Sequence, residues 1–395
     1  MSEQIFHIIG ISDNPEQELS RAALAVIAAG KVFSGGQRHR ELMASRMPAH
    51  ALWIPITVPL SEVFEQYRGH SDVVVFASGD PLFYGFAATV QRQLPEAVID
   101  LYPSFNSMQM LAHRLLVPYQ DMHAVSLTGR PWKEFDAALI QGERMIGVLT
   151  DRNKTPRSIA RRMLDYGYDN YLVSVGECLG NPDNERVTTV SVSEASAMDF
   201  AFPNCMILQR TAVRERPFGI PENRFDLLDG RARMITKMPV RLLSLSMLDL
   251  RGRSSFWDIG FCTGSVSIEA KLQFPHLDIT AFEVREQGRE LMENNSRRFG
   301  TPGITAVIGD FMEIPVQEYP APDAVFIGGH GGRMLPMLQK IDSVLKLGGV
   351  IVFNSVSEES LELFRQGIEI IGRKITGQVR VAVDAHNPIE ILKAE

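Results

Sequence analysis

The sequence predicts an α/β protein built from two domains, and three observations carry that prediction. Short β-branched or aromatic runs alternate with longer helical patterns along most of the chain, the order that gives largely parallel sheets covered by helices. A stretch rich in charge and proline, "RTAVRERPFGIPE" at 210–222, interrupts the alternation. After it, "FWDIGFCTGSVSIEA" at 256–270 reads as a buried strand, a turn with two glycines and a helix start. A chain of 395 residues also exceeds one small core, since domains average roughly 100–200 residues.

In order along the first series, "IFHIIGI", "DVVVFA", "RMIGVLT" and "NYLVSV" are the clearest strands. Between them "RAALAVIAAG", "FAATVQRQL" and "RSIARRMLDYG" repeat apolar residues at three- and four-residue steps, as amphipathic helices require. The break at 211–222 is expected to be an exposed connection, leaving domains at 1–210 and 223–395. The second series places strands near 254–259, 277–282, 304–308, 322–327 and 349–354. "ITGQVRVAVD" and "PIEILKA" lie too close for a crossover helix and are expected to pair antiparallel at the sheet edge.

Composition excludes several classes. Hydrophobic residues make up 45% and charged residues 22%, so both halves can bury cores and neither reads as disordered. The net charge of −7 argues against a nucleic-acid partner, which calls for a basic surface. Cys178, Cys205 and Cys262 are scattered without a CxxC pair, so no metal centre or disulfide framework is predicted. No apolar run approaches the ~18 residues of a membrane span and the start lacks a signal-peptide pattern. No membrane partner is expected, and the expected location is the cytoplasm.

The turn at 260–264 sets the chemistry. Gly260 and Gly264 permit positive φ and close approach of a ligand to the backbone, and the helix from Ser265 aims free N–H groups into the same space. Glu283 closes the next strand, where an acid can accept both ribose hydroxyls. A dinucleotide enzyme would show GxGxxG; here G-x-x-x-G instead resembles the loop that wraps the amino-acid end of S-adenosylmethionine. The edge hairpin points the same way, being a feature of class I methyltransferases. Cys262 is expected to fit as a small side chain with negative φ, and without a neighbouring histidine it is not expected to be a nucleophile.

From about Gly219 onward, "MITKMPVRLLSLSMLDLRGRSSFWDIGFCTGSVSIEA", "AFEVREQGRELMENNSRRFG", "VIGDF" and "PDAVFIGGHGG" resemble the decarboxylating methyltransferases that treat precorrin-6B in the cobalamin pathway. That resemblance implies a class I fold with a seven-stranded sheet. It also implies an S-adenosylmethionine pocket formed by Thr236, Gly260, Phe261, Cys262, Thr263, Gly264, Glu283, Asp310 and Phe311. Met238-Pro239 departs from the family, standing where a charged pair is usual.

In the first domain "ASGDPLFYG" at 77–85 follows a buried-type strand; Asp80 is expected to cap a helix beginning at Pro81. The segment resembles the S-adenosylmethionine loop of the tetrapyrrole methylases. "GGQRHREL", "PSFNSMQMLAHRL", "VSLTGRPW", "LTDRNKTPRSIARRML" and "VGECLGNPDNERV" extend the likeness to the precorrin-7 methyltransferase branch over nearly all of 4–210. This implies a two-lobed domain binding the cofactor through Gly10, Gly79, Asp80, Phe83, Tyr84 and Ser107. Its first loop, "GISDNP", has Ser12 and Asn14 where the family favours glycine; such residues tolerate some of the conformations, asparagine best at positive φ. Together the two resemblances are those of the fused precorrin-6Y methyltransferases (decarboxylating), implying methylation of a corrin precursor at carbons 5 and 15 with loss of an acetate carboxylate. One S-adenosylmethionine per domain and a homo-oligomer are expected.

Methyl transfer from a sulfonium to carbon needs alignment and exclusion of water rather than a protein nucleophile; such orientation is worth ~7–11 kcal/mol. No GxSxG, HExxH or GxxxxGK[ST] motif occurs. An acidic macrocycle calls for cations, and "RARMITKMPVR" offers Arg231, Arg233, Lys237 and Arg241. Lys237 and Arg241 are the candidates for gripping acetate or propionate groups, while Arg231 and Arg233 read as solvated. His330 in "GGHGGR" lies where open α/β sheets bind ligands and, with Lys237, is the candidate for substrate positioning. Arg38 and His39 are the substrate candidates of the first domain. Rival readings are an RNA-modifying methyltransferase, a nicotinamide oxidoreductase, and a non-catalytic first domain acting as a scaffold.

Overall fold

The strand-forming runs assemble into three separate sheets. The structure is a computed structural model and describes residues 4–231, 234–383 and 388–395; Arg233, noted above, lies outside them. The chain divides into two compact units, one of residues 1–130, 144–161 and 171–211, the other of 131–143, 162–170 and 212–395.

The first unit holds two five-stranded sheets. β1 (Ile5–Ile11), β2 (Val32–Gly35), β3 (Leu52–Pro55), β4 (Asp72–Ser78) and β5 (Val98–Tyr102) lie in the order β3-β2-β4-β1-β5, all parallel. Burial on both faces explains why β1 and β4 read as nearly unbroken apolar runs: Ile8, Ile9 and Val73 to Phe76 are fully buried. The second sheet, β6 (His123–Ser126), β7 (Met145–Leu149), β8 (Tyr171–Glu177), β9 (Arg186–Ser191) and β10 (Asn204–Arg210), has the order β6-β7-β10-β8-β9. Here the expected parallel pattern fails. Only β6 and β7 pair parallel; β10 is antiparallel to β7 and β8, and β9 to β8. The connection from β8 to β9 is too short for the crossover that parallel neighbours need.

The second unit carries one seven-stranded sheet. β11 (Ser255–Ile259), β12 (Asp278–Glu283), β13 (Ile304–Ile308), β14 (Ala324–Ile327), β15 (Val350–Ser355), β16 (Ile375–Val381) and β17 (Ile389–Ala394) take the order β13-β12-β11-β14-β15-β17-β16. The first five are parallel, and β17 is antiparallel to both β15 and β16, as the close spacing of the last two runs requires. Trp257, Phe282 and Phe353 fill one face of this sheet, and the Trp257 indole N–H donates to Pro320 O at 3.0 Å. Part of the expected exposed connection is packed instead. Ile220 is fully buried, and the N–H groups of Gly219 and Ile220 donate to the Glu269 carboxylate at 2.7 and 3.1 Å. An acid buried in the helix Ser265–Gln273 must find donors, and this segment supplies them.

Among the described residues, no helix is long and apolar enough to cross a membrane, and no group of three His, Cys, Asp or Glu could hold a metal.

Candidate active sites

In the second unit, β11 ends in a turn whose backbone is left-handed three times in five residues: Gly260 at φ +80°, Cys262 at +50° and Gly264 at +77°. Cys262 thus departs from the negative φ expected of it. A left-handed non-glycine residue costs roughly 1–2 kcal/mol, and the strain is held by a specific contact, the Cys262 N–H donating to Glu283 Oε2 at 2.9 Å. Burial, with the Glu283 charge adding to it, pushes the thiol up to about 11, so it stays protonated and a poor nucleophile. A Cβ on Gly260 would stand 3.0 Å from Gly329 N, and one on Gly328 3.1 Å from Gly260 O. The double glycine before His330 therefore lets the end of β14 approach the turn.

Glu283 is only 3% exposed. Its Oε1 accepts from Arg285 N at 3.0 Å and Arg285 Nη1 at 2.9 Å, and its side chain is seated by Gly288, where a Cβ would come within 2.7 Å of Glu283 Cγ. Beyond β13, Asp310 accepts two bonds of 2.7 Å from Arg333 Nη2 and one of 2.9 Å from Met312 N. These hold its carboxyl below the usual range, the arginine contributing most. Phe311 packs edge-on against Phe282 with ring centroids 5.1 Å apart.

A cavity of about 780 Å³ opens at the carboxyl ends of these strands, the end at which open α/β sheets bind ligands. Of the predicted residues, Thr236, Lys237, Gly260 to Thr263, Glu283, Asp310, Phe311 and His330 line it. Gly264 supports it from behind, since a Cβ there would meet Met292 Sδ at 2.6 Å. Its glycine cradle, large volume and buried acid suit a nucleoside with a zwitterionic tail.

Arg241 corrects the prediction. Its side chain is fully buried: Nε donates to Glu269 Oε2 at 3.2 Å, Nη1 to Thr236 O at 2.8 Å, and Nη2 to Ile220 O. The buried Glu269 captures it, so it is an internal ion pair and not a substrate grip. The Lys237 carbonyl accepts the Arg241 N–H at 2.8 Å, while its side chain lines the cavity with no hydrogen bond or ion pair among the described residues. His330 also lines it, with Nε2 3.4 Å from Ser360 Oγ; burial lowers its pKa, favouring neutral imidazole.

Sequence reasoning missed Asp258, Arg285, Arg333 and Asn354, all in the cavity wall. Asp258 is fully buried; its Oδ2 accepts from Ser267 N at 3.1 Å and Ser267 Oγ at 2.7 Å, while Oδ1 has no partner among the described residues. Burial pushes its pKa up to about 7 against those hydrogen bonds. The available signal was an acid set between Trp257 and Ile259 in an otherwise largely apolar strand.

In the first unit, the loops after β1 and β4 meet at two glycines. A Cβ on Gly10 would lie 1.9 Å from Gly79 O, and Gly79, at φ +62°, donates its N–H to Ile11 O at 2.9 Å. The "GISDNP" loop manages without more glycine. Ser12 N donates to Gln17 Oε1 at 2.8 Å, Asn14 N to Ser12 Oγ at 3.3 Å and Glu16 N to Asn14 Oδ1 at 2.9 Å, side-chain turns that replace positive φ; neither Ser12 nor Asn14 is left-handed.

The helix expected from Pro81 begins instead at Phe86 with Gly85 at its N-cap, because Pro81 to Gly85 turn back on themselves: a Cβ on Gly85 would lie 2.2 Å from Pro81 O. Asp80 accordingly caps the turn, accepting from Leu82 N at 2.9 Å. Phe83 and Tyr84 pack edge-on at 5.1 Å, and the Tyr84 hydroxyl donates to Ala124 O at 2.9 Å. Ser107 opens the helix Ser107–Leu115, capped by Asn106, whose Cα lies 2.7 Å from a Cβ placed on Gly79. Arg38 and His39, on the helix Gln37–Met43, reach the end of β4. Arg38 Nη1 donates to Asp13 Oδ1 at 2.5 Å and Nη2 to Ser78 Oγ at 3.1 Å; His39 Nε2 lies 2.9 Å from Ser78 Oγ. Burial, then the Arg38 charge, brings His39 down to about 4.

Known proteins resemble this chain along both halves. Residues 6–196 match the Tetrapyrrole (Corrin/Porphyrin) Methylases and residues 229–393 the Precorrin methyltransferase domain. A precorrin-6Y C(5,15)-methyltransferase (decarboxylating) of Sinorhizobium sp is 34% identical over 356 residues, covering 89% of this chain and 84% of the relative. Its counterpart from Mycobacterium tuberculosis H37Rv is 28% identical over 354 residues, covering 89% and 85%. A crystal structure described as precorrin-6y C5,15-methyltransferase from Geobacter metallireducens GS-15 is 33% identical, with a TM-score of 0.42, covering 45% of this chain and 97% of that one. A likeness of this depth, running through both halves, makes the chain a member of the precorrin-6Y C(5,15)-methyltransferase (decarboxylating) family.

Proposed function

We propose that the chain methylates a corrin precursor twice with S-adenosylmethionine, the first unit at carbon 5 and the second at carbon 15, and that the second unit also removes carbon dioxide from an acetate side chain. The observation that carries this reading is the second unit's cavity, where the left-handed Gly260–Gly264 turn and the buried Glu283 stand together. S-adenosylmethionine, when bound, supplies an electrophilic methyl on sulfur. The chain's part is placement. Glu283 accepts from ribose hydroxyls, the turn admits the amino-acid end, and Asp310 with Phe311 borders the base.

Among the described residues of the wall, Lys237 is the cation whose charge no carboxylate already pairs, since Arg285 bonds Glu283 and Arg333 bonds Asp310, and it is the first candidate to receive a substrate carboxylate. Charge-assisted bonds of this kind anchor acidic side chains strongly. The macrocycle provides both the carbon nucleophile and the sink for the electrons released on decarboxylation, so a neutral His330 at the wall serves placement. No step requires Cys262.

The test is mass spectrometry of the macrocyclic substrate incubated with the full chain and methyl-labelled S-adenosylmethionine, scoring each methyl and the lost carbon dioxide separately. The wild-type chain is expected to add two labels and lose one carbon dioxide. Glu283→Ala should lower methyl transfer at carbon 15 at least ~10-fold, the value of a lost charged hydrogen bond, while sparing carbon 5. Equal loss at both carbons would refute the division of labour.

A further inference from the structure

The end of β4 presents a hydroxyl with no acceptor capacity left. His39 Nδ1 accepts the Gly36 N–H at 3.2 Å, so in the neutral ring Nε2 carries the proton and donates to Ser78 Oγ at 2.9 Å. Arg38 Nη2 donates to the same oxygen at 3.1 Å. A hydroxyl has two lone pairs and one proton. Both lone pairs of Ser78 are filled by nitrogen donors that cannot accept in return, so its proton must go elsewhere, and among the described residues it meets no acceptor. Ser78 is exposed and directly precedes Gly79 and Asp80. The acid nearest this cluster, Asp13, is 12% exposed and neutralised by Arg38, whose own side chain remains 38% exposed.

We infer that Ser78 is an obligate hydrogen-bond donor which, together with Arg38, receives a carboxylate in the first unit, with His39 as the positioning residue that fixes its rotamer. A hydroxyl polarised by two N–H donors beside a cation with free N–H groups is matched by an anionic oxygen. Both ligands expected there bring one: the methionyl carboxylate of the methyl donor and the acid side chains of the macrocycle. This assignment rests on reading the first unit as a methyltransferase.

The experiment compares the full chain with Ser78→Ala and Ser78→Thr. It measures S-adenosylhomocysteine affinity by calorimetry and the KM for the macrocycle from the methyl added at carbon 5. Loss of one charge-assisted bond corresponds to ~10-fold. If Ser78→Ala weakens S-adenosylhomocysteine about that much with KM unchanged, the carboxylate is the donor's. If KM rises by that factor with affinity unchanged, it is the macrocycle's. In either case Ser78→Thr, which keeps the hydroxyl, should restore most of the loss, a rescue that a purely structural role would not show. Methyl transfer at carbon 5 with neither constant altered in Ser78→Ala overturns the assignment alone. A wild-type chain that adds no methyl at carbon 5 overturns the reading of the unit and the assignment with it.

Discussion

Asp258 lies buried in the wall of the second site's cavity, yet nothing in its local sequence marks its charge state. With no partner for Oδ1 among the described residues, burial pushes its pKa in the folded chain up to about 7, against an ordinary 3.8. The folded state therefore holds a proton between those values that the unfolded state releases. Its contribution to stability is full below pH ~3.8 and is lost as pH rises through 7, by up to ~4 kcal/mol. Asp310, whose pKa is lowered, slopes the opposite way, so the informative quantity is a difference. In urea unfolding of both proteins, wild-type stability minus that of Asp258→Asn should fall between pH 5 and pH 8; a flat difference would mean that Asp258 is ionised throughout. Residues of this kind were illegible beforehand because desolvation is set by what packs on them. Gly260, Gly264 and Glu283 were legible because a tight turn and a strand-end acid are local demands.

At the scale of elements, the buried Arg241–Glu269 pair ties the helix Met238–Leu248 to the helix Ser265–Gln273 and to the segment around Ile220. Removing one partner of such a pair leaves an uncompensated buried charge and typically costs 3–5 kcal/mol. Arg241→Met should lower the unfolding free energy by that amount. Lys237→Met, four residues away and in the cavity wall, should leave the unfolding free energy within ~0.5 kcal/mol and raise the KM for the macrocycle. Urea unfolding paired with steady-state kinetics separates the two, and a destabilised Lys237→Met would remove Lys237 from the proposed substrate role. The cation-rich segment was visible in the sequence. Which of its members faced the cavity was not, because Glu269 lies 28 positions from Arg241.

Over the whole molecule, each unit presents glycine-bounded loops at the carboxyl ends of its own parallel strands: Gly10 and Gly79 in one, Gly260 and Gly264 in the other. Two S-adenosylhomocysteine molecules are accordingly expected per chain in calorimetric titration, falling to one in Glu283→Ala. A stoichiometry of one in the wild-type chain would favour a non-catalytic first unit. The alternation of strands and helices, the antiparallel edge pair and the glycine turns followed from periodicity and turn chemistry, because those signals act over a few residues, where backbone sterics and apolar spacing dominate. The antiparallel second sheet, the left-handed Cys262, the captured Arg241 and the proton on Asp258 were decided only by tertiary structure. Each depends on a partner distant in sequence, or on the withdrawal of water when the chain closes around it.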